Sequence, residues 1–92
     1  MQNRYGYLRK IEHLCRKATG DELAHYTDAI EMDTIGAIEQ YFIAPIQTSS
    51  LSKERQEAAK KFMNEYEDMK GKSIDNFSEY QLDNIITMME EM

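Results

Sequence analysis

The sequence contains no tryptophan, one proline, one cysteine and four glycines in 92 residues. Each scarcity excludes something. A lone Cys15 cannot build an internal disulfide framework, so the fold has to come from packing. So few prolines and glycines leave out the turn signals that many short strands require, which points to helices. No apolar run approaches membrane-spanning length, and the opening Met1-Gln2-Asn3-Arg4-Tyr5 lacks the apolar core of a secretory signal. The expectation is a cytoplasmic protein, in the host cytoplasm if the source is a virus.

Positive charge is also missing from a long stretch. Residues 21–50 carry Asp21, Glu22, Asp28, Glu31, Asp33 and Glu39 with no lysine or arginine. Residues 1–20 are the reverse, with Arg4, Arg9, Lys10, Arg16 and Lys17 against Glu12 alone. Ten acids and six bases follow in residues 51–92, and the net charge is −6. A basic opening is thus joined to an acidic body. Such asymmetry fits a charged partner or two segments that neutralise each other.

What is present is helical periodicity. Tyr7, Leu8, Ile11, Leu14, Cys15 and Ala18 recur at spacings of three and four, which predicts a first helix from about Asn3 to Ala18, stopped by Gly20. Thr19 to Glu22 reads as a capping box opening a second helix from about Asp21 to Ala44, which Pro45 would end. That helix is apolar on two sides. Leu23, Tyr26, Ile30, Ala37 and Tyr41 form one stripe, and Met32, Ile35, Phe42 and Ile43 form another. Gly36 and a potential cap at Asp33 predict an interruption near residues 32–36.

After a linker from Pro45 to Leu51, Ser52 or Ser50 would cap a third helix. Its face is Ala58, Ala59, Phe62, Met63, Tyr66 and Met69, and Gly71 is its stop. Ser78 and Gln81 form a capping box for the last helix, with Phe77 and Leu82 placed as a hydrophobic staple. Leu82, Ile85, Ile86, Met89 and Met92 supply its face, and Met88 falls outside it. The expected fold is an all-α bundle in one domain spanning 1–92, with four amphipathic helices, or five if the second is broken. The two-faced second helix belongs at its centre or across a dimer seam.

No motif for chemistry stands out. Cys15 lies on the apolar stripe, and His13, two residues away on a helix, points elsewhere. Asp21, His25 and Asp28 have helical spacing that would suit a divalent ion only if another helix added ligands. There is no glycine-rich phosphate loop and no HExxH. The expectation is therefore a protein that is not an enzyme and carries no cofactor or metal.

The clearest constellation is the outer face of the first helix. Arg9, Lys10, His13, Arg16 and Lys17 make a basic strip about 10 Å long. It could grip an acidic protein surface or a phosphate backbone, and its plainer reading is a solvated face balanced by nearby acids. An isoelectric point near 4.8 argues against a general nucleic-acid binder. Mimicry of DNA by the acidic segment is weakened by the spread of its carboxylates. Six tyrosines, three phenylalanines and seven methionines exceed the needs of a small core and suit an interface.

The sequence thus points to a small acidic helical regulator or inhibitor that binds another protein. In general character it is like the accessory proteins of phages and plasmids. A homo-oligomer, first of all a dimer, is expected. The candidate partner-binding residues are Arg9, Lys10, His13, Arg16 and Lys17 on the basic strip, with Met32, Ile35 and Phe42 on the second apolar face. Nucleic-acid or nucleotide binding through the basic strip is the alternative.

Overall fold

In the computed structural model, residues 4–48 and 52–92 are described, and among them every regular element is helical. The expected helix start at Asn3 and the alternative cap Ser50 lie outside these residues. The first helix, α1 (Arg4–Thr19), buries Tyr7, Leu8, Ile11 and Cys15, the stripe its spacing marks. Gly20 ends it in the left-handed region at φ 76°, where its amide still reaches the Arg16 carbonyl at 2.8 Å.

The segment expected as one long second helix is different. Residues 21–26 are not helical, and the Thr19–Glu22 capping box does not form. The Thr19 hydroxyl instead meets the Arg16 carbonyl and the Tyr26 hydroxyl, and Leu23 is 87% exposed. A short α2 (Thr27–Met32) begins only where a carboxylate from α1 meets its first amides. Glu12 accepts from the Tyr26 amide at 2.9 Å and the Thr27 hydroxyl at 2.6 Å. It caps the new helix from outside, a task for which the Tyr26 side chain has no acceptor in place.

The predicted interruption falls at Asp33, whose backbone leaves helical geometry (φ −148°, ψ 82°). Its carboxylate accepts from the Gly36 amide at 3.0 Å and restarts the chain as α3 (Thr34–Ile38). The rod then runs without a break through a π-helical turn (Glu39–Ile43) into α4 (Ala44–Thr48). Pro45 therefore does not end this helix. The π turn widens the backbone just before it, with the Ala44 amide bonded to the Glu39 carbonyl five residues back. In that register the missing proline N–H and the bulk of its ring are tolerated. Counting this rod as one, the described residues form five helices, as the sequence allowed.

The α5 helix (Lys53–Tyr66) buries Ala59, Phe62, Met63 and Tyr66. Ser52 occupies its N-cap position without a side-chain capping bond. A 3₁₀ turn (Glu67–Met69) and Gly71 at φ 85° follow. A second 3₁₀ turn (Ile74–Asn76) leads to α6 (Glu79–Glu91). There the capping box forms as predicted, with Gln81 N to Ser78 Oγ at 3.1 Å and Ser78 N to Gln81 Oε1 at 2.9 Å. Phe77 and Leu82, the staple pair, are both buried. Met88 is half-buried, its sulfur 3.7 Å from the Asn84 amide nitrogen.

The second segment packs against α1 along α2, the π turn and α4, and also meets α5 and the Ile74–Asn76 turn, while α1 in addition meets α6 and that same turn. Arg4 fixes the start of α1 by donating to the carbonyls of Ile74 (3.0 Å) and Phe77 (2.8 Å). The core is one cluster of isoleucines and aromatics, joined by Leu8, Leu82, Met63, Met89 and Met92.

Candidate functional site

The outer face of α1 is built by helical spacing alone. Arg9, Lys10, His13 and Lys17 all stand exposed on it, because the opposite stripe is buried. The Arg9 guanidinium lies 5.6 Å from the Tyr5 ring centroid, a cation–π arrangement that holds it along the surface. No ion pair within 4.0 Å joins Arg9, Lys10 or Lys17 to an acid of the described residues.

Arg16 does not belong with them. It turns inward, donating to Glu12 Oε1 at 2.8 Å and to the Ala24 carbonyl at 2.8 Å. Its job is to complete the environment of Glu12, which is only 6% exposed. Burial pushes the Glu12 carboxyl up, but hydrogen bonds from Thr27 and Tyr26 and the Arg16 charge outweigh it and hold the group below its usual range. Arg4 is likewise engaged by the fold. Of five cations in α1, three remain as a surface.

Acids stand beside those three. Glu22 shares a shallow hollow with His13, Arg16 and Lys17. Asp83 and Glu90 of α6 share another with Lys10. The potential is therefore patterned rather than uniformly positive.

The second apolar face does not reach the surface. Ile35 is fully buried and Phe42 is 5% exposed, so both are packed into the core. The break at Asp33 and the π turn rotate these residues into the core alongside Ile38 and Ile43. Met32 alone stays outside, 73% exposed at the end of α2. Among the described residues, the other large exposed hydrophobic side chains are Tyr5, Leu23 and Tyr80. Tyr26 and Tyr41, expected on the first stripe, stack at 4.2 Å.

Because residues 21–26 are not helical, Asp21, His25 and Asp28 lose the spacing that would align them. Among the described residues no three His, Cys, Asp or Glu side chains gather at metal-binding distance. Asp33 and Glu39 of the acidic segment are engaged by the chain itself, Asp33 with Gly71 N at 2.7 Å and Glu39 with Lys70 Nζ at 2.8 Å. Cys15 is buried, and burial with the nearby Glu12 charge pushes its thiol up to about 12. Among the described residues, no helix is long and apolar enough to cross a membrane.

No known protein family, curated protein or solved structure matches this chain. One residue of consequence is hidden in the sequence: Glu12 is legible there only as the one acid of a basic helix. Neither spacing nor composition marks a group whose partners are distant in the chain.

Proposed function

We propose that the protein is a small non-catalytic regulator or inhibitor that binds an acidic face of another protein through α1. The observation that carries this reading is the exposed set Arg9, Lys10 and Lys17, flanking His13, none of them ion-paired among the described residues. A helix that engages two of its arginines internally and leaves three cations outward presents charge the fold does not use.

The acids interspersed with these cations favour a protein over a nucleic acid as the partner. A duplex offers phosphates at short, regular intervals, and Glu22, Asp83 and Glu90 would stand against such a backbone. A protein surface can place its carboxylates and amides in a matching mosaic. Met32 adds an exposed adaptable apolar side chain.

The test is affinity capture from a nuclease-treated lysate of the native host at physiological salt. The wild-type chain is compared with Arg9→Glu/Lys17→Glu, with the native mass of each recorded. A stoichiometric protein retained by the wild type and lost from the variant supports the reading. Nucleic acid recovered from an untreated lysate with no protein, or capture indifferent to the reversal, overturns it. The native mass also decides whether the expected dimer forms.

A further inference from the structure

A pocket of about 340 Å³ opens where α1, the π turn, α4, α5 and the end of α6 come together. Leu14 and Ala18 of α1, Phe42 and Ile46 of the rod, and Met89 and Met92 at the C-terminal end form its apolar lining. Lys17, Arg55 and Glu90 supply its charge. It is separate from the function proposed above, although Lys17 borders both surfaces.

Arg55 is the unusual member. Its Nε is hidden from solvent, and nothing among the described residues accepts a hydrogen bond from it. A guanidinium cannot shed its proton at ordinary pH, so a concealed N–H without an acceptor is a standing penalty. Arg55 also lines the pocket, and the paired terminal nitrogens of an arginine match the two oxygens of a carboxylate. Lys17 and Glu90 line the same pocket, so two cationic side chains and one acidic side chain border it.

We propose that this pocket binds a small amphipathic carboxylate, with its anionic head on Arg55 and its apolar body on Leu14, Phe42, Ile46 and Met89. The volume lies at the low end of ligand pockets, which run from about 300 to 1,000 Å³. At roughly 30 Å³ per water-sized group it admits about eleven such groups, the size of a medium-chain acid. The methionine walls adapt to a flexible chain.

The test is a titration of the intact protein followed by amide NMR shifts, using octanoate, its neutral analogue octanamide and octyltrimethylammonium. Octanoate should give saturable shifts at Leu14, Ala18, Ile46, Arg55 and Met89, with a Kd on the order of 0.1–1 mM for so small a ligand. Octanamide should bind at least about tenfold more weakly, and the cation should not bind. Arg55→Gln should erase the preference for octanoate over octanamide while leaving helicity unchanged. Arg55→Lys keeps the charge without the fork and should weaken octanoate by an intermediate factor. Glu90→Gln should tighten it about two- to fivefold.

Equal binding of octanoate and octanamide, or an undiminished preference in Arg55→Gln, overturns the proposal. Shifts spread over Lys10 and His13 instead of the pocket, or no saturable shift at all, do the same. If Arg55→Gln loses helicity, Arg55→Lys and Glu90→Gln carry the decision, and no change in either counts against the site.

Discussion

The Asp33 carboxylate accepts the Gly71 amide at 2.7 Å across 38 residues of sequence, while the same oxygen accepts the Gly36 amide at 3.0 Å. One oxygen thus restarts α3 and ties down the turn after α5. The neighbours of Gly71 add to the clasp. Lys72 offers its carbonyl to the Thr34 amide at 3.2 Å, and Lys70 reaches Glu39 at 2.8 Å.

Asp33→Ala should destabilise the fold by about 1–2 kcal/mol, the loss of a cap and of a second acceptor. Asp33→Asn keeps an acceptor oxygen and should lose less. Gly36→Ala should also destabilise, although alanine ordinarily favours a helix, because its Cβ would collide with the Asp33 carboxylate. Urea denaturation of the three variants measures this, and a stabilised Gly36→Ala would refute the clasp.

Glu12→Gln should destabilise by about 2–3 kcal/mol, since it leaves Arg16 without its charge partner in a half-buried setting. The wild-type carboxyl titrates lower when folded than when unfolded, where an ordinary glutamate lies near ~4.3. Its contribution is therefore complete above that value and is lost as pH falls through the folded-state value. Urea midpoints followed from about pH 6 to pH 3 should drop more steeply in the wild type than in Glu12→Gln. Parallel profiles would mean that Glu12 does not hold the α2 start as described.

Cys15 should be inert in the folded chain, because the reactive species is the thiolate. With the folded thiol near about 12 and an unfolded cysteine near ~8.5, its contribution is intact below ~8.5 and lost as pH rises toward the folded value. An aromatic disulfide reagent should label native protein only at the rate of opening, and label urea-unfolded protein at once. Cys15→Ala should flatten the alkaline side of the stability profile. The alkaline loss that remains has a source in Tyr66, which burial also raises.

The cations of α1 should divide into two groups under alanine substitution. Arg4→Ala and Arg16→Ala should each destabilise by about 1–3 kcal/mol, having given up bonds to backbone carbonyls. Arg9→Ala, Lys10→Ala and Lys17→Ala should stay within about 0.5 kcal/mol of the wild type. Thermal melts of the five variants make the comparison. A large loss at Lys10 or Lys17 would show that these residues serve the fold rather than an external surface.

Where the chain's instructions are local, they can be read from the sequence. The stripe of α1 and its Gly20 stop, the faces of α5 and α6, and the Ser78–Gln81 box all follow from residues three or four apart. Asp33 was legible as a cap for the same reason. The basic strip was legible as a face, but only in outline. The Glu12–Arg16 pair has the four-residue spacing of a helical ion pair, but nothing local shows that Arg16 also reaches the Ala24 carbonyl, or that Pro45 sits after a π turn and continues the helix.

The sequence by itself determined that this protein is helical, that α1 has one basic side, and that the segment between α1 and α5 is interrupted near Gly36. Those properties depend on periodicity and short-range capping. Only the tertiary structure decided where the second segment starts, that Ile35 and Phe42 are core, and which cations remain outward. Each of these rests on a bond or a packing contact between distant parts of the chain, Glu12 to Tyr26 and Asp33 to Gly71 above all. Spacing along a helix reports which residues share a face. It does not report which partner that face will meet, because that is set by how the whole core closes.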